Sequence, residues 1–127
     1  MTRVLADTYA FVALLDGSPE YDKLLRESDV VTTSLNLVEL AHTLMQRGRS
    51  QGVDDALRPL AKTCVEPPSI AATAREAAIF RHERNSAGGR VSTVDAWAYA
   101  TARSLGIPFL TGDEDFRGVP DVKFVKA

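Results

Sequence analysis

Four carboxylates stand out for where they fall in the chain: Asp7, Glu39, Asp95 and Asp113. Asp7 comes directly after a short apolar run, "RVLA", and Asp113 comes one glycine after another, "IPFLT". Asp95 lies in the first turn of a nearly all-apolar helical stretch, and Glu39 about one and a half turns into a second helix. The motifs around them offer no compensating Lys or Arg. Carboxylates that converge without cations repel one another, and burying them would raise their pKa values and destabilise the fold. A hard divalent cation removes that difficulty. Mg²⁺ takes oxygen ligands in octahedral geometry and keeps several waters, so a few carboxylates suffice, and Mn²⁺ has similar preferences. The chemistry these residues point to is an acidic site for Mg²⁺ or Mn²⁺.

Each acid also has a purely structural reading. Asp7, with Thr8 after it, can cap a helix. Asp95 completes a Ser-x-x-Asp capping box with Ser92. Glu39, taken alone beside Asn36 and Thr43, reads as part of a solvated helix face. Asp113, Glu114 and Asp115 read as an Asx-type turn leading to Phe116, which anchors the loop in the core. Asp54, Asp55, Glu66 and Asp121 show nothing beyond caps, turns and exposed faces. The apolar setting of Asp95 favours a site, because an unpaired carboxylate buried there would be costly.

The elements that must position these acids alternate between strand and helix. Residues 3–6 and the β-branched "DVVTT" (29–33) read as strands, as do "IPFLT" and "VKFVK" further on. Between them, "TYAFVALLDG" is a helix stopped by Gly17, and "SPEYDKLLRES" restarts with Ser18 as N-cap and Pro19 at the first helical position. "SLNLVELAHTLMQRG" (34–48) is the clearest helix, with Leu37, Leu40, Ala41 and Leu44 on one face and Ser34 able to cap it. A further helix is expected over about 52–62, then a short strand near "TCVE" ended by Pro67 and Pro68. "SIAATAREAAIFRHERN" reads as a helix with a stripe of Ile70, Ala71, Ala74, Ala77 and Ala78, broken by the glycines at 88–89. "STVDAWAYATARSLG" (92–106) reads as a central buried helix.

This alternation predicts an α/β fold, a three-layer α/β/α sandwich on a mostly parallel sheet of four to five strands. In such sheets ligands bind beyond the carboxyl ends of the strands, where strand order reverses. Asp7 and Asp113 fall at that edge. At 127 residues the chain is read as one domain, 1–127, with a composition of 45% hydrophobic and 25% charged residues that suits an ordinary globular protein. A net charge of −2 counts against a protein built mainly to grip a duplex electrostatically, but not against an enzyme acting on nucleic acid. One cysteine, Cys64, excludes an intrachain disulfide and fits a reducing compartment. His42 and His82 lack a third ligand at zinc spacing. With neither a leader pattern nor an apolar run of membrane length, the expected location is cytoplasmic.

Taken together, "VLADTYAFVALL", "TTSLNLVELAHTL" and "STVDAWAYATARSLGIPFLTGDEDF" resemble a PIN domain, and more narrowly the VapC-type ribonuclease toxins of prokaryotic toxin–antitoxin pairs. The resemblance runs through essentially the whole chain. It puts the family's acidic quartet on Asp7, Glu39, Asp95 and Asp113, as metal ligands and catalytic residues, and its small hydroxyl positions on Thr8, Ser34 and Thr111, as groups that orient carboxylates or substrate. It implies a Mg²⁺- or Mn²⁺-dependent endoribonuclease that is often dimeric and is neutralised by a small antitoxin protein.

In that chemistry water attacks the phosphodiester, so the expected product ends are a 5′-phosphate and a 3′-hydroxyl. Arg47, Arg49, Arg81, Arg84 and Arg90 are candidates for contacts to the RNA backbone, although helix ends and solvated faces account for each singly. Tyr99 is able to stack a base but fits the core better, and Trp97 points away from Asp95. Two alternatives belong to other classes: a receiver-like phosphoacceptor domain that binds Mg²⁺, and a non-catalytic PIN-like module that binds RNA or protein. The first would want paired acids after the first strand and a lysine at a late strand end, and the sequence has neither.

Overall fold

In a computed structural model that describes residues 1–127, the N-terminal apolar run forms strand β1 (Arg3–Ala6), with Val4, Leu5 and Ala6 all buried. A short strand buried on both faces belongs in the middle of a covered parallel sheet. Its neighbours are β2 (Asp29–Val31) on one side and β3 (Phe109–Thr111) on the other, with β4 (Val122–Phe124) outermost. The order is β2-β1-β3-β4 and every pairing is parallel, with Leu5 opposite Phe109 and Ala6 opposite Leu110.

Alternation along the strands sorts their side chains to two cores. Leu5 and Phe109 face α5 (Ile70–Ser86) and α6 (Thr93–Ser104), packing with Ala96, Tyr99 and Phe116. Val4, Ala6 and Leu110 face the other way, toward α1 (Thr8–Leu15), α2 (Pro19–Glu27), α3 (Ser34–Gln46) and α4 (Val53–Ala61), and pack with Phe11, Tyr21 and Leu40. The result is the three-layer α/β/α sandwich expected from the sequence. Strand order turns between β1 and β3, so the crevice beyond their carboxyl ends is where a ligand is expected in this topology.

The expected punctuation is present at most boundaries. Ser18 caps α2 by accepting from the Tyr21 N–H at 3.3 Å, with Pro19 next, and Ser92 caps α6 by accepting from the Asp95 N–H at 3.0 Å. Three details differ. The cap of α3 is Thr33 and not Ser34, which is exposed as the first helical residue. The strand expected near Cys64 shrinks to a single bridge to Thr32, because Pro67 and Pro68 follow before a ladder can extend. In α5 the buried stripe is Thr73 and Ala77 with Phe80 packed alongside, whereas Ile70, Ala71, Ala74 and Ala78 are exposed.

Gly112, between β3 and the loop carrying Asp113, is fixed by space. A Cβ there would overlap the ring of Tyr9 and the carbonyl oxygen of Val125. Gly52, by contrast, has no atom within 4 Å of the equivalent position. Gly112→Ala should therefore cost about 1–3 kcal/mol through overpacking, while Gly52→Ala stays within about 0.5 kcal/mol. Urea unfolding of both variants checks the contrast, and equal effects would contradict it.

Candidate metal centre

Asp7 leaves β1 and enters α1, and its position serves both elements. Its backbone N–H donates to Leu110 O at 3.0 Å, which continues the β1–β3 ladder by one residue. Its Oδ1 accepts from the Thr8 N–H at 2.7 Å, the helix cap expected of it. Its Oδ2 accepts from Thr111 Oγ1 at 2.8 Å. The residue is only 2% exposed. Capping and burial coexist here, so the structural reading of Asp7 does not displace the chemical one.

Asp95 reaches the same point from the first turn of α6, and Glu39 reaches it from α3. Carboxylate oxygens of Asp7, Glu39 and Asp95 all lie within 4.8 Å of one another. None of the three, nor Asp113, takes part in any of the protein's ion pairs. The charge of the cluster is therefore uncompensated by protein cations, and the protonation equilibria reflect that. Burial pushes the Asp7 carboxyl well above its usual range, helped by the charges of Asp95 and Glu39 and opposed by the hydrogen bonds from Thr111 and Thr8. Burial likewise pushes Asp95 up to about 6, with Glu39 and Asp113 adding repulsion and the Ser92 contact opposing it.

Asp113 stands at the rim and outside the tight trio. Its N–H donates to Thr111 Oγ1 at 3.1 Å, and its Oδ1 accepts from the Asp115 N–H at 3.0 Å, which caps the one-turn 3₁₀ helix Glu114–Phe116. Thr111 thus joins the rim to the centre, donating to Asp7 and accepting from Asp113. The neighbouring acids are committed elsewhere. Glu114 pairs with Arg117 at 2.8 Å and Lys126 at 3.2 Å, and their hydrogen bonds hold its pKa down to about 2. Asp115 Oδ1 accepts from the Arg90 N–H at 3.2 Å and its carbonyl accepts from Arg84 Nη2 at 2.7 Å, tying the α5–α6 connection to the loop. The acid run therefore divides: one carboxylate faces the crevice and two shape the loop.

The remaining expected residues spread out. Thr8 Oγ1 is buried beside Asp7 and bonds to Asn36, whereas Ser34 is exposed at the start of α3 and its hydroxyl bonds to none of the carboxylates. Arg47 pairs with Asp16 at 2.6 Å, at the far end of α3 from the trio. Arg49 is exposed. Arg81 Nε donates to Val91 O at 2.9 Å, and its side chain lines a cleft of about 600 Å³ with Leu35, His82 and Trp97. Tyr99 is core: it is 2% exposed, its OH donates to Pro120 O at 2.9 Å, and its ring packs on Phe80, Phe109 and Phe116. Asn36 is the residue that sequence reasoning missed. It was read as helix surface, yet it is fully buried and its Nδ2 reaches Asp7 Oδ1 at 3.4 Å.

The donor set is all oxygen: carboxylates from three elements, with buried hydroxyls behind them and no thiolate or imidazole among them. That is the ligand chemistry of Mg²⁺ and Mn²⁺ and not of zinc. An unpaired cluster of acids centred on a buried Asp7 also gains from a cation, so the residues present fit the group the sequence implied.

A family model described as "PIN domain" matches residues 4–122. No curated protein matches the sequence. Among solved structures, VapBC-5 of Mycobacterium tuberculosis, a member of the VapBC family of toxin–antitoxin systems, is similar at 26% identity and a TM-score of 0.70 over 100% of both chains. A toxin–antitoxin complex from Klebsiella pneumoniae is similar at 20% identity and a TM-score of 0.75, over 98% of this chain and 99% of that one. VapC20 of Mycobacterium tuberculosis, a toxin that cleaves the sarcin–ricin loop, is similar at 22% identity and 0.73, over 98% of each chain. With the matched residues 4–122 running from the first strand to the last and the acids gathered at the edge between, the chain belongs to the PIN-domain family.

Proposed function

We propose that this protein is a Mg²⁺- or Mn²⁺-dependent endoribonuclease and the VapC-type toxin of a cytoplasmic toxin–antitoxin pair. The observation that carries the reading is the trio of buried Asp7 with the less deeply buried Glu39 and Asp95, within 4.8 Å of one another and without a protein counter-charge. In this reading Asp7, Glu39 and Asp95 would hold the cation, and Asp113 at the rim would complete the ligand set or orient water. Thr8 and Thr111 keep the Asp7 carboxylate in one orientation, the role that outer partners of metal ligands play. A bound Mg²⁺ or Mn²⁺ supplies acidification of water and charge compensation at the phosphate.

The reaction is hydrolysis. A water oxygen attacks phosphorus, the P–O3′ bond breaks, and the departing 3′ oxygen takes up a proton. One product carries a 5′-phosphate and the other a 3′-hydroxyl. Family membership leaves the receiver-like alternative without support. The non-catalytic alternative is disfavoured by the trio itself, because a binding module gains nothing from three acids that repel one another around a buried Asp7.

The partners in this reading are an RNA substrate, a small cognate antitoxin and a second copy of the chain. Apolar surface supports the two protein partners. Leu35, Val38 and Met45 stand exposed on α3, and a groove of about 320 Å³ between α1, α2 and α4 is bounded by Leu14, Leu15, Leu25 and Leu60 among others. No helix is long and apolar enough to cross a membrane. The test is cleavage of single-stranded RNA with Mg²⁺ or Mn²⁺, with EDTA, and after adding the ion back. Cleavage should stop with EDTA, return with the ion, and leave 5′-phosphate ends. Cleavage that survives chelation, or 2′,3′-cyclic phosphate products, would overturn the mechanism.

A further inference from the structure

Asn36 lies in the first turn of α3 and is 0% exposed. Every polar group of its side chain is used. Oδ1 accepts from Thr33 Oγ1 at 2.6 Å, and Nδ2 donates to Thr8 Oγ1 at 3.1 Å and to Asp7 Oδ1 at 3.4 Å. The connection is reciprocal, since Thr8 Oγ1 lies 3.4 Å from the Asn36 carbonyl. Thr33, Thr8 and Asp7 are themselves buried. A buried amide costs free energy unless its bonds are complete, and a complete buried network fixes geometry.

What this network fixes is the gap between β1 and α3. Asn36 and Glu39 are three residues apart on one helix, so they share a face. The Glu39 carboxylate receives no hydrogen bond from the protein; only its backbone carbonyl does, from Thr43. Its distance from Asp7 therefore depends on where α3 sits. Repulsion between Asp7 and Glu39 pushes the helix away, and the Asn36 bridge opposes that push without adding charge. An aspartate in its place would enlarge the repulsion, and a leucine would keep the backbone contacts to Thr33 and Thr8 but remove the side-chain bonds to Thr33, Thr8 and Asp7.

We propose that Asn36 is a positioning residue: a neutral strap that holds α3 against Asp7 and sets the carboxylate spacing to suit a small cation. The inference rests on the metal-site reading above. Mg²⁺ demands near-ideal octahedral geometry at about 2.0–2.1 Å, whereas Ca²⁺ tolerates longer and irregular ligation. A loosened site should therefore lose Mg²⁺ affinity more than Ca²⁺ affinity.

The experiment is calorimetric titration of RNA-free protein with MgCl₂ and separately with CaCl₂, for wild type, Asn36→Ala, Thr8→Val, Asp95→Asn and Leu44→Ala. Asn36→Ala should weaken Mg²⁺ binding about 10–100-fold, as loss of an outer partner does, with Ca²⁺ falling several-fold less. Thr8→Val keeps its shape and should shift the ratio the same way by a smaller factor, which keeps the question open to test if Asn36→Ala does not fold. Leu44→Ala, a core change in the same helix at a residue 3% exposed, should leave the ratio unmoved. Mg²⁺ affinity within twofold of wild type in Asn36→Ala, or a Mg²⁺/Ca²⁺ ratio that moves equally in Leu44→Ala, would overturn the inference alone. Wild type that binds neither ion would overturn the metal-site reading and this inference with it. Binding lost in Asp95→Asn but retained in Asn36→Ala separates the two.

Discussion

Asp7→Asn should lower RNA cleavage by more than about 100-fold while making the metal-free protein more stable at neutral pH. The first half follows from position. Partners behind a metal ligand are worth roughly 10–100-fold, so a group in direct contact with the ion is worth more. Asp7 is also the hub of the site, bonded to Thr8, Thr111 and Asn36 and close to both Glu39 and Asp95. Asparagine can still accept the Thr8 N–H, so the α1 cap survives and loss of activity is not loss of fold.

The second half follows from charge. Asp7 and Asp95 both have pKa values raised in the folded state, chiefly by burial. The folded protein then holds more protons than the unfolded chain between the ordinary carboxylate range and the raised values. Stability accordingly falls as pH rises through that window and stays low above it. For Asp95 the window runs from 3.8 to about 6, and a gap of that size is worth on the order of 3 kcal/mol. The melting temperature of EDTA-treated protein should decline between about pH 4 and pH 7. Asp7→Asn or Asp95→Asn should flatten the decline and raise the plateau, and saturating Mg²⁺ should flatten it in the unaltered protein. Thermal melts across pH check all three. A wild-type melting temperature that rises over this range would contradict the electrostatic account.

Phe116→Ala should have the largest effect on stability, about 3–5 kcal/mol, out of the 5–15 kcal/mol typical of a whole domain. Phe116 is 0% exposed and sits among Phe109 at 5.0 Å, Tyr99 at 5.6 Å and Phe80 at 5.7 Å between ring centroids. The alanines at 96, 98, 100 and 102 on α6 are too short to reach into the space, and the aromatic rings around it are held by their own packing. Phe116 also ends the 3₁₀ turn that Asp113 caps, so its loss frees the rim of the site as well as the core. Cation binding by Asp7, Glu39 and Asp95 should persist at temperatures where the variant remains folded, since those acids are placed by β1, α3 and α6. Urea unfolding measures the first effect and cation titration the second. A loss below about 1 kcal/mol would mean that the aromatic cluster repacks.

Much of this was legible in the sequence, and what was not has physical causes. Asp7 and Asp95 could be read because strand ends and helix starts are marked by local patterns, and the topology carries those ends to one edge. Glu39 was harder, since a helix face that looks solvated in sequence here lines the crevice shared with Asp7 and Asp95. Asn36 was hidden for the same reason: an amide in a first turn reads as a cap or a surface residue until its partners, Thr8 and Asp7, are brought up from 28 and 29 positions away. Within the expected stripe of α5 only Ala77 is buried, because alanine suits either face and Ala71, Ala74 and Ala78 gave no signal against Thr73 and Phe80. Ser34 and Thr33 are adjacent and both able to cap. Only the backbone conformation, extended at Thr33, decides between them.

The central claim is that Asp7, Glu39 and Asp95 form a cation site, and equilibrium binding of Mn²⁺ tests it most directly, followed by the EPR signal of the free ion in the absence of RNA. The unaltered protein should show saturable binding that EDTA reverses, and Asp95→Asn should weaken it by more than about 100-fold. Equal binding by the two proteins, or none by either, would contradict the assignment.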